Sequence, residues 1–252
     1  HDRDNDGVKE AGEEGIGGVT MSLINLDTGL VVATTTTDAA TGMYMFSDLL
    51  VGNYKVQEGD PGPQWIDGID SEGTLTRGGV RLDRGDTLDV GQDLETYIIV
   101  DIRILNGDLG ENYNFGEYLP GSIEGYVFVH PNGECLLLPG EAPADGLQGI
   151  TIELLDASGN VIRTTQTLAD GSYKFDLLPP GSYSVREGET PDYFDGDESI
   201  GYRTLTTGFD VGPGNDLRND LLRGIVIGSG DVMIHYNFCE VPPSSISGFV
   251  FQ

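Results

Sequence analysis

The chain is short of basic residues. It has 13 Lys and Arg against 42 Asp and Glu, a formal net charge of −29 over 252 residues. Phosphate binding needs clustered cations, so nucleic acid is not an expected partner. The usual catalytic residues are also scarce. The three His, His1, His130 and His235, form no triad or metalloprotease spacing. Carboxylate pairs abound, as in glycosidases, but two small sandwiches offer no deep cleft, and no enzymatic activity is expected. The one Trp, Trp65, reads as a packed loop residue rather than a sugar platform. No apolar run reaches 18 residues, so no direct membrane insertion is expected. Cysteine occurs only at Cys135 and Cys239. In an extracellular chain two Cys suggest one disulfide; otherwise they are free thiols.

Glycine is abundant at 38 residues, and Thr, Val, Ile and Tyr recur in short runs. Apolar and polar residues alternate in Val19-Thr20-Met21-Ser22-Leu23-Ile24, Val31–Thr35, Tyr44-Met45-Phe46 and Tyr54–Glu58, which predicts strands. Turn residues separate them: Asp27-Thr28-Gly29, Ala157-Ser158-Gly159-Asn160, Asp170-Gly171 and Pro180-Gly181. No helical stripe appears, and the strand spacing suits a β-sandwich. Gly- and Asp-rich connections near 60–95 and 189–221 are long enough to bind something or to be tied down.

The chain repeats itself. Gly15–Leu23 matches Gly146–Leu154, Thr41–Phe46 matches Asp170–Phe175, Gly52–Gly59 matches Gly181–Gly188, and Tyr113–Glu117 matches Tyr236–Glu240. The offset falls from 131 to 123 residues along the chain. Two domains are expected, 1–120 and 121–243. Ser122–Val129 opens the second copy, and Ser245-Ile246-Ser247-Gly248-Phe249-Val250-Phe251-Gln252 repeats that opening, so 244–252 reads as the first strand of a following repeat. Joining Gln252 to His1 restores a whole repeat. Either the chain is a slice of a tandem array, or each unit lends its last strand to a neighbour, with Ser245, Ile246, Phe249 and Phe251 as the donated residues.

Asp2-Arg3-Asp4-Asn5-Asp6-Gly7-Val8-Lys9-Glu10-Ala11-Gly12-Glu13 follows the spacing of an EF-hand loop. Positions 1, 3, 5, 7, 9 and 12 supply oxygens, here from Asp2, Asp4, Asp6, the Val8 carbonyl, Glu10 and Glu13, with Gly7 at the sharp turn. Five carboxylates so close repel unless a cation sits among them. Many anionic oxygens on a flexible loop suit Ca²⁺ rather than Mg²⁺ or Zn²⁺. The cognate loop of the second copy keeps Asn132, Glu134, the Leu136 carbonyl and Glu141, but has His130 at the first position and Cys135 at the glycine position, so weaker calcium binding is expected there. Cys239 replaces Gly116 of the first copy, and the paired change points to a Cys135–Cys239 disulfide. Further acidic clusters at Asp67, Asp70, Asp195 and Asp197 are candidates for extra calcium, as are Asp83, Asp86, Asp89 and Asp93.

The Asp-rich loop followed by Glu14-Gly15-Ile16-Gly17-Gly18-Val19-Thr20, then Thr35-Thr36-Thr37-Asp38, Gly42–Phe46 and Gly52–Glu58, resembles the B-type repeats of serine-aspartate repeat surface adhesins, relatives of collagen-adhesin B domains. The resemblance covers essentially the whole chain. It implies two tandem immunoglobulin-like, prealbumin-like β-sandwich domains, structural calcium in the first loop, and an extracellular, cell-surface or secreted setting. It implies a rigid stalk projecting a ligand-binding head. The repeated ends favour a fibre-forming unit whose partners are neighbouring copies of the same repeat, head to tail. An adhesin module recognising an extracellular ligand through the long loops is the alternative. None of Lys9, Lys55 and Lys174 falls in a first strand, so the Lys–Asn isopeptide bond of many collagen-adhesin relatives is not expected.

Overall fold

A computed structural model describes residues 1–81, 98–205, 208–212, 214–216 and 220–251. These residues are all-β, with no helix among them. They fall into two compact units, His1–Leu119 and Pro120–Gln252. The first holds β1 (Thr20–Asn25), β2 (Leu30–Thr36), β3 (Gly52–Glu58), β4 (Ile66–Asp67), β5 (Ser71–Arg77), β6 (Val80–Arg81), β7 (Ile98–Ile104), β8 (Asp108–Asn114) and β9 (Glu117–Tyr118). The second holds β10 (Gly121–Val129), β11 (Thr151–Leu155), β12 (Val161–Gln166), β13 (Ser172–Leu178), β14 (Gly181–Glu187), β15 (Phe194–Ser199), β16 (Tyr202–Leu205), β17 (Gly208–Val211), β18 (Asn215–Asp216), β19 (Leu221–Ile227), β20 (Val232–Ile234) and β21 (Asn237–Val241).

The second unit is a complete sandwich. One sheet runs β12-β11-β14-β19-β18, and the other runs β15-β21-β10-β20-β16-β17 with β13 also on β10. Alternation decides which residues face inward. Ile152 and Leu154 of β11, Val185 of β14, and Leu222, Ile225 and Ile227 of β19 meet Ile123 and Val127 of β10, Tyr173 and Phe175 of β13, and Phe238 of β21. Each such side chain contributes about 1.5–3 kcal/mol of apolar transfer energy. The strand β10 is central: it pairs antiparallel with β13, parallel with β20 near Ile123, and parallel with β21 near Val127.

The first unit repeats one of these layers. Its sheet β2-β1-β3-β7 matches β12-β11-β14-β19, with Met21, Leu23, Tyr54, Val56, Ile99 and Ile102 buried. The opposite layer is divided between a β4–β9 pair and a β6-β5-β8 sheet. Tyr44, Phe46, Leu49, Tyr113 and Phe115 are only partly buried, whereas their cognates Tyr173, Phe175, Leu178, Tyr236 and Phe238 are all at most 3% exposed.

Three expectations need correction. Tyr44-Met45-Phe46 is not a strand; its cognate β13 is one because it pairs with β10, and no strand pairs with residues 43–46 among the described residues. Ser245–Phe251 has no ladder partner among the described residues, with Ile246, Phe249 and Phe251 at least 91% exposed. The connections near 60–95 and 189–221 contain strands β4–β6 and β15–β18, because Ile66, Leu75, Tyr202 and Phe209 sit in segments that find ladder partners. Asp83, Asp86, Asp89 and Asp93 lie outside the described residues. Gly181 of the Pro180-Gly181 turn does not take positive φ; the left-handed residue before it is Leu177 (φ 52°), near the end of β13, matched by Asp48 (φ 56°) in the first unit. Gly29, Gly159 and Gly171 do take positive φ as their turns require.

Cys135 and Cys239 form a disulfide with Cα atoms 5.4 Å apart, tying the loop after β10 to β21 beside Phe128. It spans 104 residues of sequence. A Cys135→Ser/Cys239→Ser double variant is expected to lose about 4–5 kcal/mol of second-unit stability by the loop-closure estimate. Denaturant unfolding of the variant beside the oxidised parent measures this, and an unchanged midpoint would show that the bond adds nothing.

Candidate metal centre

The first loop folds around Asp2. Its side chain is 4% exposed and accepts backbone amide hydrogens from Asn5 at 2.6 Å, Asp6 at 3.3 Å and Gly7 at 2.8 Å. These bonds wind the loop tightly, with Asn5 (φ 58°) and Gly7 (φ 77°) in the left-handed region. A Cβ on Gly7 would come within 2.8 Å of Ile69 Cγ2, so close packing as well as backbone conformation requires glycine there. The loop is anchored from below: Asp2 N donates to Glu117 O at 2.8 Å, and Ile69 N donates to Asn5 Oδ1 at 2.9 Å. At its far end, Glu13 accepts from the Arg3 amide at 2.7 Å and the Glu10 amide at 3.0 Å.

This winding gathers the expected ligands. Oxygens of Asp2, Asp4 and Glu13 lie within 4.8 Å of one another, as do those of Asp4, Asp6 and Glu10. Of the nearby cations, Arg3 pairs with Glu14 at 2.6 Å, and Lys9 Nζ donates to the Glu13 carbonyl within the loop. Burial raises the Asp2 pKa against the pull of its amide bonds. Slight desolvation and the charges of Asp6, Glu13 and Asp4 raise that of Glu10. The donor set of hard anionic oxygens fits a divalent cation such as Ca²⁺. Of the expected ligands, Val8 donates its amide to Asp6 Oδ1 at 2.8 Å.

The second loop keeps the same frame without the charge. His130 N donates to Glu240 O at 2.9 Å, as Asp2 does to Glu117, and Glu141 closes the loop by accepting from Leu138 N at 2.8 Å. His130 Nδ1 accepts from the Glu134 amide at 3.3 Å, in place of the Asp2 carboxylate. Asn132, Glu134 and Leu136 surround the turn, but the described residues bring no three His, Cys or acidic groups together there. The Cys135 carbonyl accepts from Asn237 Nδ2 at 3.3 Å, so the disulfide and a buried amide take over the tethering.

Beneath each loop, buried acids that the sequence reading did not identify join the expected Asp67, Asp70 and Asp195. In the first unit Glu58 and Glu117 are 8% and 1% exposed, close to Asp67 and Asp70. No amide, hydroxyl or basic group among the described residues reaches Glu58 Oε2 or either oxygen of Glu117. Burial first, then the charge of Glu117, pushes Glu58 up to about 9. Burial also raises Glu117, although Glu58 offsets part of this. In the second unit Glu187, Asp220 and Glu240 come within 4.8 Å of one another, and burial followed by the charge of Glu240 raises Glu187 to about 10. Asp195 joins Glu198 and Asp220 in a second group, while Asp197 is exposed. Asp70 accepts from Gly116 N at 3.2 Å. Strand alternation could have revealed these acids: Glu58 follows Tyr54 and Val56 on the inward face, and Glu187 follows Tyr183 and Val185.

Comparison with known proteins points the same way as the duplicated frame. The model of the SdrD B-like domain matches residues 1–72 and 121–204, more than half of the chain. Serine-aspartate repeat-containing protein D of Staphylococcus aureus (strain Newman) is 30% identical over 262 residues, covering 99% of this chain and 17% of that protein. Serine-aspartate repeat-containing protein F of Staphylococcus epidermidis is 29% identical over 259 residues, covering all of this chain and 13% of that protein. The chain thus spans less than a fifth of either relative. Among solved structures, BcpA, the major pilin subunit of Bacillus cereus, overlays 92% of this chain and 97% of its own loosely, at 11% identity and a TM-score of 0.32. With the family model matched in each of two copies of one β-sandwich frame, the chain belongs to the SdrD B-like domain family.

Proposed function

We propose that the chain is a structural repeat of an extracellular, cell-surface protein: a calcium-stabilised stalk or fibre unit that joins neighbouring copies of itself, with no catalytic role. The observation that carries this is the first loop, where Asp2, Asp4 and Glu13 form one carboxylate group and Asp4, Asp6 and Glu10 an adjoining one, and no basic side chain neutralises Asp4, Asp6 or Glu10 among the described ion pairs. A Ca²⁺ ion held there offsets like-charge repulsion and ties the loop to Glu117 and Ile69, and so to the body of the unit. Such a role needs no deep cleft. The second copy relies on its disulfide where its loop is poor in carboxylates. The buried acids near Asp67 and Asp195 are a second place where a cation would replace protons.

Calcium bound at 100 times its dissociation constant adds about 2.7 kcal/mol, or roughly 10 °C for a domain of this size. Calorimetry with calcium and with chelator is expected to show a shift of that order in the first unit, reduced by Asp4→Asn/Glu10→Gln. These side chains are exposed, so the chelated variant should melt no lower than the chelated parent. A calcium-independent melting curve overturns the reading.

The buried acids set a pH dependence. Glu58 and Glu187 have folded pKa values raised above their ordinary 4.5, to about 9 and about 10. A raised carboxyl contributes stability while protonated and loses it as pH climbs towards the folded value. Calcium-stripped protein should therefore melt at progressively lower temperature between about pH 5 and pH 9, and Glu187→Gln should flatten that slope in the second unit. Melting that rises over this range would contradict the assignment.

A further inference from the structure

The sequence has two Asn-Gly pairs, Asn106-Gly107 in the first unit and Asn132-Gly133 in the second. Such a pair cyclises readily, because glycine has no side chain to obstruct its own nitrogen. The fold decides which nitrogen is free to react. Asn106-Gly107 forms the tip of the turn that carries the chain from β7 in one sheet to β8 in another. Both ends of this turn are fixed: Asp108 N donates to Leu105 O at 3.1 Å, and Leu105 N donates to Asp108 Oδ2 at 2.8 Å. Arg77 holds Asp108 at 2.7 Å. Between the fixed ends Asn106 and Gly107 are exposed, Gly107 takes φ 77°, and nothing lies within 4 Å of where its Cβ would stand. Neither the Asn106 side chain nor the Gly107 amide has a hydrogen-bond partner among the described residues.

The second unit repeats this corner as Gly228-Ser229-Gly230-Asp231, with Gly230 at φ 76° and Asp231 N donating to Gly228 O at 3.1 Å. There β10 completes the layer, and Ser122 N donates to Asp231 O at 2.9 Å, yet Gly230 stays exposed. The openness of the corner is thus a property of the turn itself. Asn132-Gly133 is held differently. Gly133 is buried, its N donates to His130 O at 3.0 Å, and its O accepts from Asp197 N at 3.2 Å. Val241 Cγ2 lies 3.2 Å from its Cβ position, and the bond from Cys135 to Cys239 pins the chain just beyond it.

We propose that Asn106 is a site of spontaneous deamidation and isomerisation in the folded protein, with water as the only co-reactant, and that the fold protects Asn132. The Gly107 nitrogen gives its proton to solvent base and attacks Asn106 Cγ. The bond from Cγ to the side-chain nitrogen breaks, and ammonia leaves with a proton taken from solvent. Water then opens the resulting succinimide. Breaking the bond between Gly107 N and Cγ leaves aspartate at position 106. Breaking the bond between Gly107 N and the backbone carbonyl carbon leaves isoaspartate, whose side-chain carbon now belongs to the main chain. Either product sets a new carboxylate in the same turn as Asp108, where like charges repel. Isoaspartate also lengthens a turn whose two ends are fixed, so the modified corner is weaker.

The reaction needs neither calcium nor a partner copy. Folded protein aged in mildly alkaline buffer is followed by peptide mapping in a mass spectrometer, with isoaspartyl methyltransferase as the probe for isoaspartate. Position 106 should gain the acid about 10-fold faster than position 132 or more, because freeing the Gly133 nitrogen first breaks its hydrogen bond and opens its loop. In denaturant the two rates should converge. The variant Asn106→Ser, which installs the residue of the matched turn, should melt like the parent and give no product at 106. The aged acidic form, separated by anion exchange, should melt about 5 °C lower in the first unit. No product at 106, or equal rates at 106 and 132 in the folded protein, overturns the proposal. A rate difference that persists in denaturant overturns the fold as its cause, and an acidic form that melts like the parent overturns the weakening of the corner.

Discussion

The fold turns on the hydrogen-bonding demands of a single central strand. A strand in mid-sheet presents donors and acceptors along both edges, and burying those edges unpaired is costly. In the second unit β10 meets that demand with β13, β20 and β21, and its inward Ile123 and Val127 close the core. Remove such a strand and its neighbours lose more than a partner: the aromatic residues beneath become half-covered and the flanking segment stops being a strand, as residues 43–46 illustrate. One set of backbone pairings thus decides whether the apolar layer of a copy is complete.

Charge is arranged around that scaffold rather than through it. The apolar faces pack between the sheets, while carboxylates collect around the loop after the first strand and the ends of the third and last strands. Glu58 and Glu187 sit one alternation beyond Val56 and Val185, so the inward face ends in an acid as the core gives way to the loop. Burying that acid is expensive unless a proton or a cation accompanies it. The two copies manage the neighbouring loop differently. The first uses Asp2 and its three amide bonds, and the second uses the bond from Cys135 to Cys239.

Much of this was legible in the sequence. Alternation located β1, β2 and β3, and the duplication carried their cognates with them. The cysteine pairing could be read because Cys135 and Cys239 both replace glycines at matched positions of the first copy. What failed did so for reasons of partnership. Tyr44-Met45-Phe46 has the pattern of a strand, but pattern selects a face and cannot supply a neighbour. The short strands β4 to β6 and β15 to β18 were hidden by Gly- and Asp-rich segments in which ladder pairing outweighs weak local preference. The buried glutamates were passed over because a charged residue at a strand end ordinarily points to water.

The disulfide has a mechanical consequence. A surface protein under shear is pulled along its chain, and in the second unit such tension enters through β10, just before Cys135, and leaves just after Cys239. The covalent bond carries the load directly from one side to the other. The 104 residues of separation it spans, roughly 350 Å of extended chain, are thereby withheld from extension. The first copy has no such shunt: its matched positions are Gly7 and Gly116, and its loop is held by hydrogen bonds. The two copies thus differ in how much of their chain tension could draw out.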